Sequence, residues 1–134
     1  MGVRLERETA SALAIAAWLK ARPEVAEVLC PMLPGAPGHD LWQRDFTGSC
    51  GLFSFTFANA DQPARDRFVD ALRLFGIGFS WGGYESLVIP FGPDLPRTAS
   101  EQRNPLGVRL SVGLEDPQDL IDDLAAGFAA LAHR

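Results

Sequence analysis

Residues 107–117 read Gly107-Val108-Arg109-Leu110-Ser111-Val112-Gly113-Leu114-Glu115-Asp116-Pro117, and the pattern changes once within that stretch. Val108, Leu110 and Val112 alternate with Arg109, Ser111 and Gly113, the period of a strand with one buried face. Asp116 followed by Pro117 then opens a helix, because aspartate caps free N–H groups and proline tolerates the first helical position. Leu120, Ile121, Leu124, Phe128 and Leu131 supply the apolar stripe of that helix.

Working outward, Gly51 to Phe57 repeats the strand signal, with Phe53, Phe55 and Phe57 on one face. Ser86 to Pro90 and Val25 to Leu29 read as short strands, the latter at an edge or in a connection. Gln62 to Phe75 reads as a helix on Phe68, Leu72 and Phe75, with Asp61 as N-cap and Gly76 as stop. Arg4 to Ala21 reads as a helix on Leu5, Ala12, Leu13, Ala16 and Leu19, widened by Ile15 and Trp18 and stopped by Pro23. Pro31 to Gly48 holds Pro31, Pro34, Gly35, Pro37 and Gly38, which exclude a regular helix or central strand. Most connections are too short for parallel crossovers. The expected fold is therefore α+β, a small, mainly antiparallel sheet with helices packed on one face.

The chain has 134 residues, which suits a single domain over 1–134. Apolar residues make up 47% and charged residues 22%, the balance of a globular domain rather than a disordered one. No apolar run approaches a membrane span, and the first residues carry mixed charge with no apolar segment of a signal peptide. Net charge is −5, with no basic stripe, so nucleic acid is not an expected partner. Cys30 and Cys50 are too few for a disulfide framework and read as small buried or half-buried thiols. His39 and His133 do not assemble a zinc set.

Two places carry chemistry. Arg109 points away from the face bearing Val108, Leu110 and Val112. It is either a surface arginine in an ion pair or a fork for a carboxylate, which guanidinium meets with two parallel hydrogen bonds. Gly78 to Leu87 surrounds Ser80 and Trp81 with glycines. It is either a turn with a packed tryptophan or a loop whose backbone amides approach an anion, with the Trp81 indole N–H as a further donor. His39 reads as a solvated or hydrogen-bonded loop histidine, and Asp40, Arg44 and Asp45 as a local ion-pair set. Glu115, Asp116, Asp119, Asp122 and Asp123 match the dipole of the last helix. No serine sits in a nucleophile elbow.

Three segments together resemble the Cys/Met-metabolism family of pyridoxal-phosphate enzymes. They are Pro37-Gly38-His39 with Leu41-Trp42, Arg44-Asp45-Phe46 and Gly48; Phe79-Ser80-Trp81-Gly82-Gly83-Tyr84-Glu85-Ser86-Leu87; and Val108 to Asp116. The likeness runs over essentially the whole chain and is nearest the cystathionine β-lyase-like members, because of Trp81. Phe79 departs from the tyrosine frequent there, and Cys30 from a usual histidine.

The resemblance implies the C-terminal, smaller domain of a fold-type-I enzyme. It implies that Arg109 binds the substrate α-carboxylate, that Ser80 lies beside the cofactor lysine and helps hold it or the carboxylate, and that Trp81 contacts the carboxylate and shapes the pocket. The implied reaction is β-elimination at a carbon–sulfur bond of a thioether amino acid such as cystathionine, giving thiol, pyruvate and ammonia. A γ-lyase or γ-synthase, and a non-catalytic truncated module that binds a partner subunit, are the alternatives. The implied complete enzyme is a cytoplasmic homotetramer with a separate pyridoxal-phosphate domain. Lys20 is the sole lysine against eleven arginines and ends a helix. With no other amine for a Schiff base, the chain alone is expected neither to bind pyridoxal phosphate productively nor to turn over substrate.

Overall fold

The computed structural model describes residues 2–94 and 105–131, so His133 lies outside the described residues. Elements follow in the order α1 (Gly2–Lys20), β1 (Val25–Leu29), α2 (His39–Asp45), β2 (Leu52–Phe57), α3 (Gln62–Ala71), β3 (Gly76–Ile77), β4 (Leu87–Phe91), β5 (Gly107–Ser111) and α4 (Pro117–Ala130). The strands form one sheet in the order β1-β2-β5-β4-β3. All neighbours are antiparallel except β3 and β4, which are parallel. The expected α+β layer architecture is what the chain builds.

Register explains where the core sits. Phe53, Leu110 and Val88 lie opposite one another across β2, β5 and β4, and Phe55 faces Val108 in the next row of the same face. Ile15, Leu19, Phe68, Leu120, Leu124 and Phe128 join these side chains in one buried cluster. Phe68 meets Phe128 with ring centroids 4.9 Å apart and Phe55 edge-on at 5.9 Å, geometries that favour aromatic contact beyond simple burial. Asp61 and Asp116 cap α3 and α4 as expected, accepting from Ala64 N at 2.9 Å and Gln118 N at 2.8 Å.

Three local expectations are corrected. The helix expected to reach Phe75 ends at Ala71, where Leu72 turns extended. The next three N–H groups are drawn instead to Asp123 on α4. Phe75 is still buried, from a turn rather than a helix. Residues 31–48 do hold a short helix, α2, because the Pro/Gly set ends at Gly38, whose left-handed φ of 78° launches it. Finally, Gly76, expected only as a helix stop, begins the two-residue strand β3, too short for any periodicity, which pairs with Leu87 and Val88.

Candidate functional site

The sheet face opposite the core carries Arg109 in the middle of a row, between Ser54 on β2 and Ile89 on β4. The next row on that face is Leu52, Ser111 and Leu87. Arg109 Nη2 donates to the carbonyls of Phe79 at 2.8 Å and Ser80 at 3.3 Å. Its Nε is buried with no hydrogen-bond partner among the described residues. One edge of the guanidinium thus holds the loop 78–86, while an inner N–H is an unmet donor, which a buried polar atom seldom remains.

The longer stretch 73–86 is fastened at both ends by carboxylates from α4 and its approach. Glu115 accepts from Ser86 N and Ser86 Oγ, both at 2.8 Å, and Gly113 N donates to Ser86 Oγ at 2.9 Å. Leu114 N donates to Tyr84 O at 2.9 Å, and Gly82 N to Ser111 Oγ at 3.3 Å. A Cβ at Gly113 would stand 2.3 Å from Tyr84 O, so this close approach requires glycine. At the other end Asp123 accepts from Arg73 N, Leu74 N and Phe75 N at 2.8, 2.9 and 3.2 Å, immediately before β3. Glu115 and Asp123 therefore do more than match the dipole of α4. No local motif marks this, since their partners lie 29 and 48–50 residues away.

Of the residues singled out from sequence, Arg109 and the main chain of Ser80 come together, whereas the Ser80 side chain is exposed. Trp81 is 62% exposed and borders a cavity of about 120 Å³ with Arg4, Leu5, Glu8, Cys50, Gly51, Leu52 and Gly82. Glu8 is the residue that sequence reasoning missed. It is buried on α1 with Oε1 unpartnered, and its signal was a carboxylate on the same stripe as Leu5 and Ala12. Cys30 is buried and Cys50 half-buried. Burial pushes the Cys30 thiol up, so it is a poor nucleophile. His39 Nδ1 lies 2.8 Å from Pro31 O and the ring stacks on Trp42, a structural role. Of the Asp40, Arg44 and Asp45 set, the described ion pair is Arg44 with Asp45, both exposed. The Arg44 guanidinium holds the Asp45 carboxyl below its usual range.

A family model for Cys/Met metabolism PLP-dependent enzymes matches residues 1–129. The chain belongs to the Cys/Met-metabolism family of PLP-dependent enzymes. Within that family it is 49% identical to a putative cystathionine beta-lyase of Rhizobium johnstonii, over 97% of this chain and 34% of that protein. It is 47% identical to a cystathionine beta-lyase of Salmonella typhimurium, over 98% and 34%. It is 40% identical to the cystathionine gamma-lyase of Bos taurus, over 91% and 31%. Among solved structures, the methionine gamma lyase CalE6 of Micromonospora echinospora superimposes with a TM-score of 0.77 at 33% identity, covering 94% of this chain and 32% of that one. The chain spans about a third of the length of the curated relatives it matches.

The family's cofactor requires an amine for its aldehyde. Lys20, at the end of α1, donates to Pro34 O at 3.4 Å and borders a cavity with the β1 residues Val25 to Val28. Arg109 stands on β5, with β2 between it and β1. The lysine lies beside the β1 edge of the sheet and the arginine on its central strand. Among the described residues Lys20 is not brought to Arg109, so they do not by themselves assemble a pyridoxal-phosphate site.

Proposed function

We propose that this chain is the substrate-carboxylate-binding domain of a cystathionine β-lyase-like enzyme, a single domain over 1–134 that acts with a separate pyridoxal-phosphate domain. The observation that carries this reading is Arg109. Its guanidinium leaves the sheet on the face opposite the core, is braced by Phe79 O and Ser80 O, and keeps Nε unpaired. A carboxylate oxygen supplies the missing acceptor, and a charge-assisted bond of this kind is stronger than a neutral one. In this reading the Ser80 and Trp81 side chains, next to the braced carbonyls, help hold the carboxylate and shape its site. The substrate class is a thioether amino acid, and the overall reaction is β-elimination to thiol, pyruvate and ammonia. The chain alone neither holds the cofactor nor turns over.

The partner in this reading is the cofactor-bearing domain or subunit. Support comes from Ile77, Phe79, Trp81 and Tyr84, all more than 60% exposed within one short stretch. Apolar side chains gathered in this way suit a covered surface. The complete enzyme is read as a cytoplasmic homotetramer, as the family resemblance implies; no helix among the described residues is long and apolar enough to cross a membrane.

Arg109→Ala in the enzyme reconstituted with its cofactor-bearing part tests the assignment. The expected result is a fall in kcat/KM of roughly 100-fold, carried mainly by KM, the scale of one broken charge pair. Unchanged kcat/KM overturns the carboxylate role. Comparing elimination from β- and γ-thioethers then separates a β-lyase from a γ-lyase or γ-synthase.

A further inference from the structure

We propose that the cavity between Glu8 and Trp81 is a subsite for a protonated amino group. Glu8 is 1% exposed, and its Oε1 has no hydrogen-bond partner among the described residues. Carboxylate oxygens can only accept, and leaving one buried without a donor costs more than leaving a neutral oxygen so. The cavity it lines is about 120 Å³, ample room for a small ammonium head group. Leu5, Leu52 and Cys50 make the walls largely apolar, and Trp81 forms one side. A carboxylate acceptor beside an indole is a pairing that recognises ammonium groups, through a charge-assisted hydrogen bond and cation–π attraction.

Competing occupants fit less well. Arg4 stands one turn before Glu8 on α1 and borders the cavity, but it is exposed and forms no ion pair with Glu8 among the described residues. A divalent cation needs several oxygen ligands, and the described residues hold no cluster of three acidic, histidine or cysteine side chains.

The cavity also has a fixed place relative to Arg109. Gly82 on its wall donates to Ser111 Oγ, and Leu52 pairs with Ser111, two residues along β5 from Arg109 on the same face. Two residues of strand amount to about 7 Å. An amino acid whose carboxylate meets Arg109 could therefore place a second, distal amino group in this cavity; only this last step rests on the carboxylate reading.

The test is an NMR titration of the 134-residue chain with methylammonium chloride, against sodium chloride at matched ionic strength. The expected result is saturable shifts at the Trp81 indole N–H, the Gly82 amide and residues 50–52. Glu8→Gln, which preserves volume, should weaken affinity at least about tenfold, the worth of a charge-assisted hydrogen bond. If that variant does not fold, Trp81→Leu at the exposed rim is used and should also weaken binding. Identical shifts with sodium chloride, no saturable shift, or unaltered affinity in the folded variant overturn the proposal. Methylammonium carries no carboxylate, so the result stands apart from the fate of Arg109.

Discussion

Ser86 meets Glu115 twice, through its N–H and its hydroxyl, each at 2.8 Å, and the same hydroxyl accepts Gly113 N. Ser86 is 1% exposed, so its two donors depend on Glu115 at the end of the loop that bears Ser80 and Trp81. Glu115→Ala would leave two buried donors without an acceptor. The expected cost is about 2–3 kcal/mol, read as a lower midpoint in urea unfolding with an unchanged slope. A midpoint within error of the parent chain would show that solvent reaches the site.

The Asp123 clamp has a local readout. Its three N–H partners at 73–75 do not belong to any helix or strand, so their protection from hydrogen exchange depends on that carboxylate. Asp123→Ala should speed exchange at Arg73, Leu74 and Phe75 well beyond the change in global stability. Equal slowing or speeding across the whole chain would contradict a local clamp.

Gly127 sets helix propensity against packing. Alanine is favoured over glycine inside a helix by about 1 kcal/mol. A Cβ here, however, would stand 2.8 Å from Phe68 Cε2 and 3.0 Å from Leu72 Cδ2, and Phe68 is locked among Phe55, Phe57 and Phe128. Overpacking costs about 1–3 kcal/mol, so Gly127→Ala should lower the thermal midpoint rather than raise it. A raised midpoint would mean the aromatic cluster yields.

Acid titration should report on Glu24. Its carboxyl is held below the usual range, chiefly by the side-chain hydrogen bonds from Arg22, at 2.6 and 3.1 Å, against a smaller opposing effect of burial. A carboxyl with a depressed folded pKa binds its proton more readily when the chain is unfolded. Its contribution is therefore present at neutral pH and is lost as pH falls through the acid range. The pair is partly exposed, so the effect on stability is small. Side-chain NMR should place Glu24 below an ordinary glutamate, and Arg22→Ala should return it upward. The same variant also removes the guanidinium lying 4.9 Å from the Trp18 and Phe128 ring centroids.

What the sequence revealed follows from range. Alternation in 51–57 and 107–112 is a local property of strands, and it correctly assigned Phe53, Phe55, Val108 and Leu110 to the core and Arg109 to the other face. Asp61 and Asp116 act within two or three residues, so their capping was equally legible. The early end of α3 was not, because apolar spacing through Phe75 is satisfied by a helix and by a buried turn alike. A carboxylate 48–50 residues away decides between them. Glu8 was overlooked for a related reason: one acidic residue on an apolar stripe gains meaning only once Gly51, Leu52 and Trp81 close around it.

The ties that hold residues 79–86 run mostly through the main chain: Phe79 O, Ser80 O, Gly82 N, Tyr84 O and Ser86 N. Meanwhile the side chains of Phe79, Ser80, Trp81 and Tyr84 project into solvent. Shape and selectivity are thereby written in different atoms. Exchanging those exposed side chains would leave every one of these backbone ties in place, so the loop can drift toward new ligands across generations without endangering the scaffold that presents it.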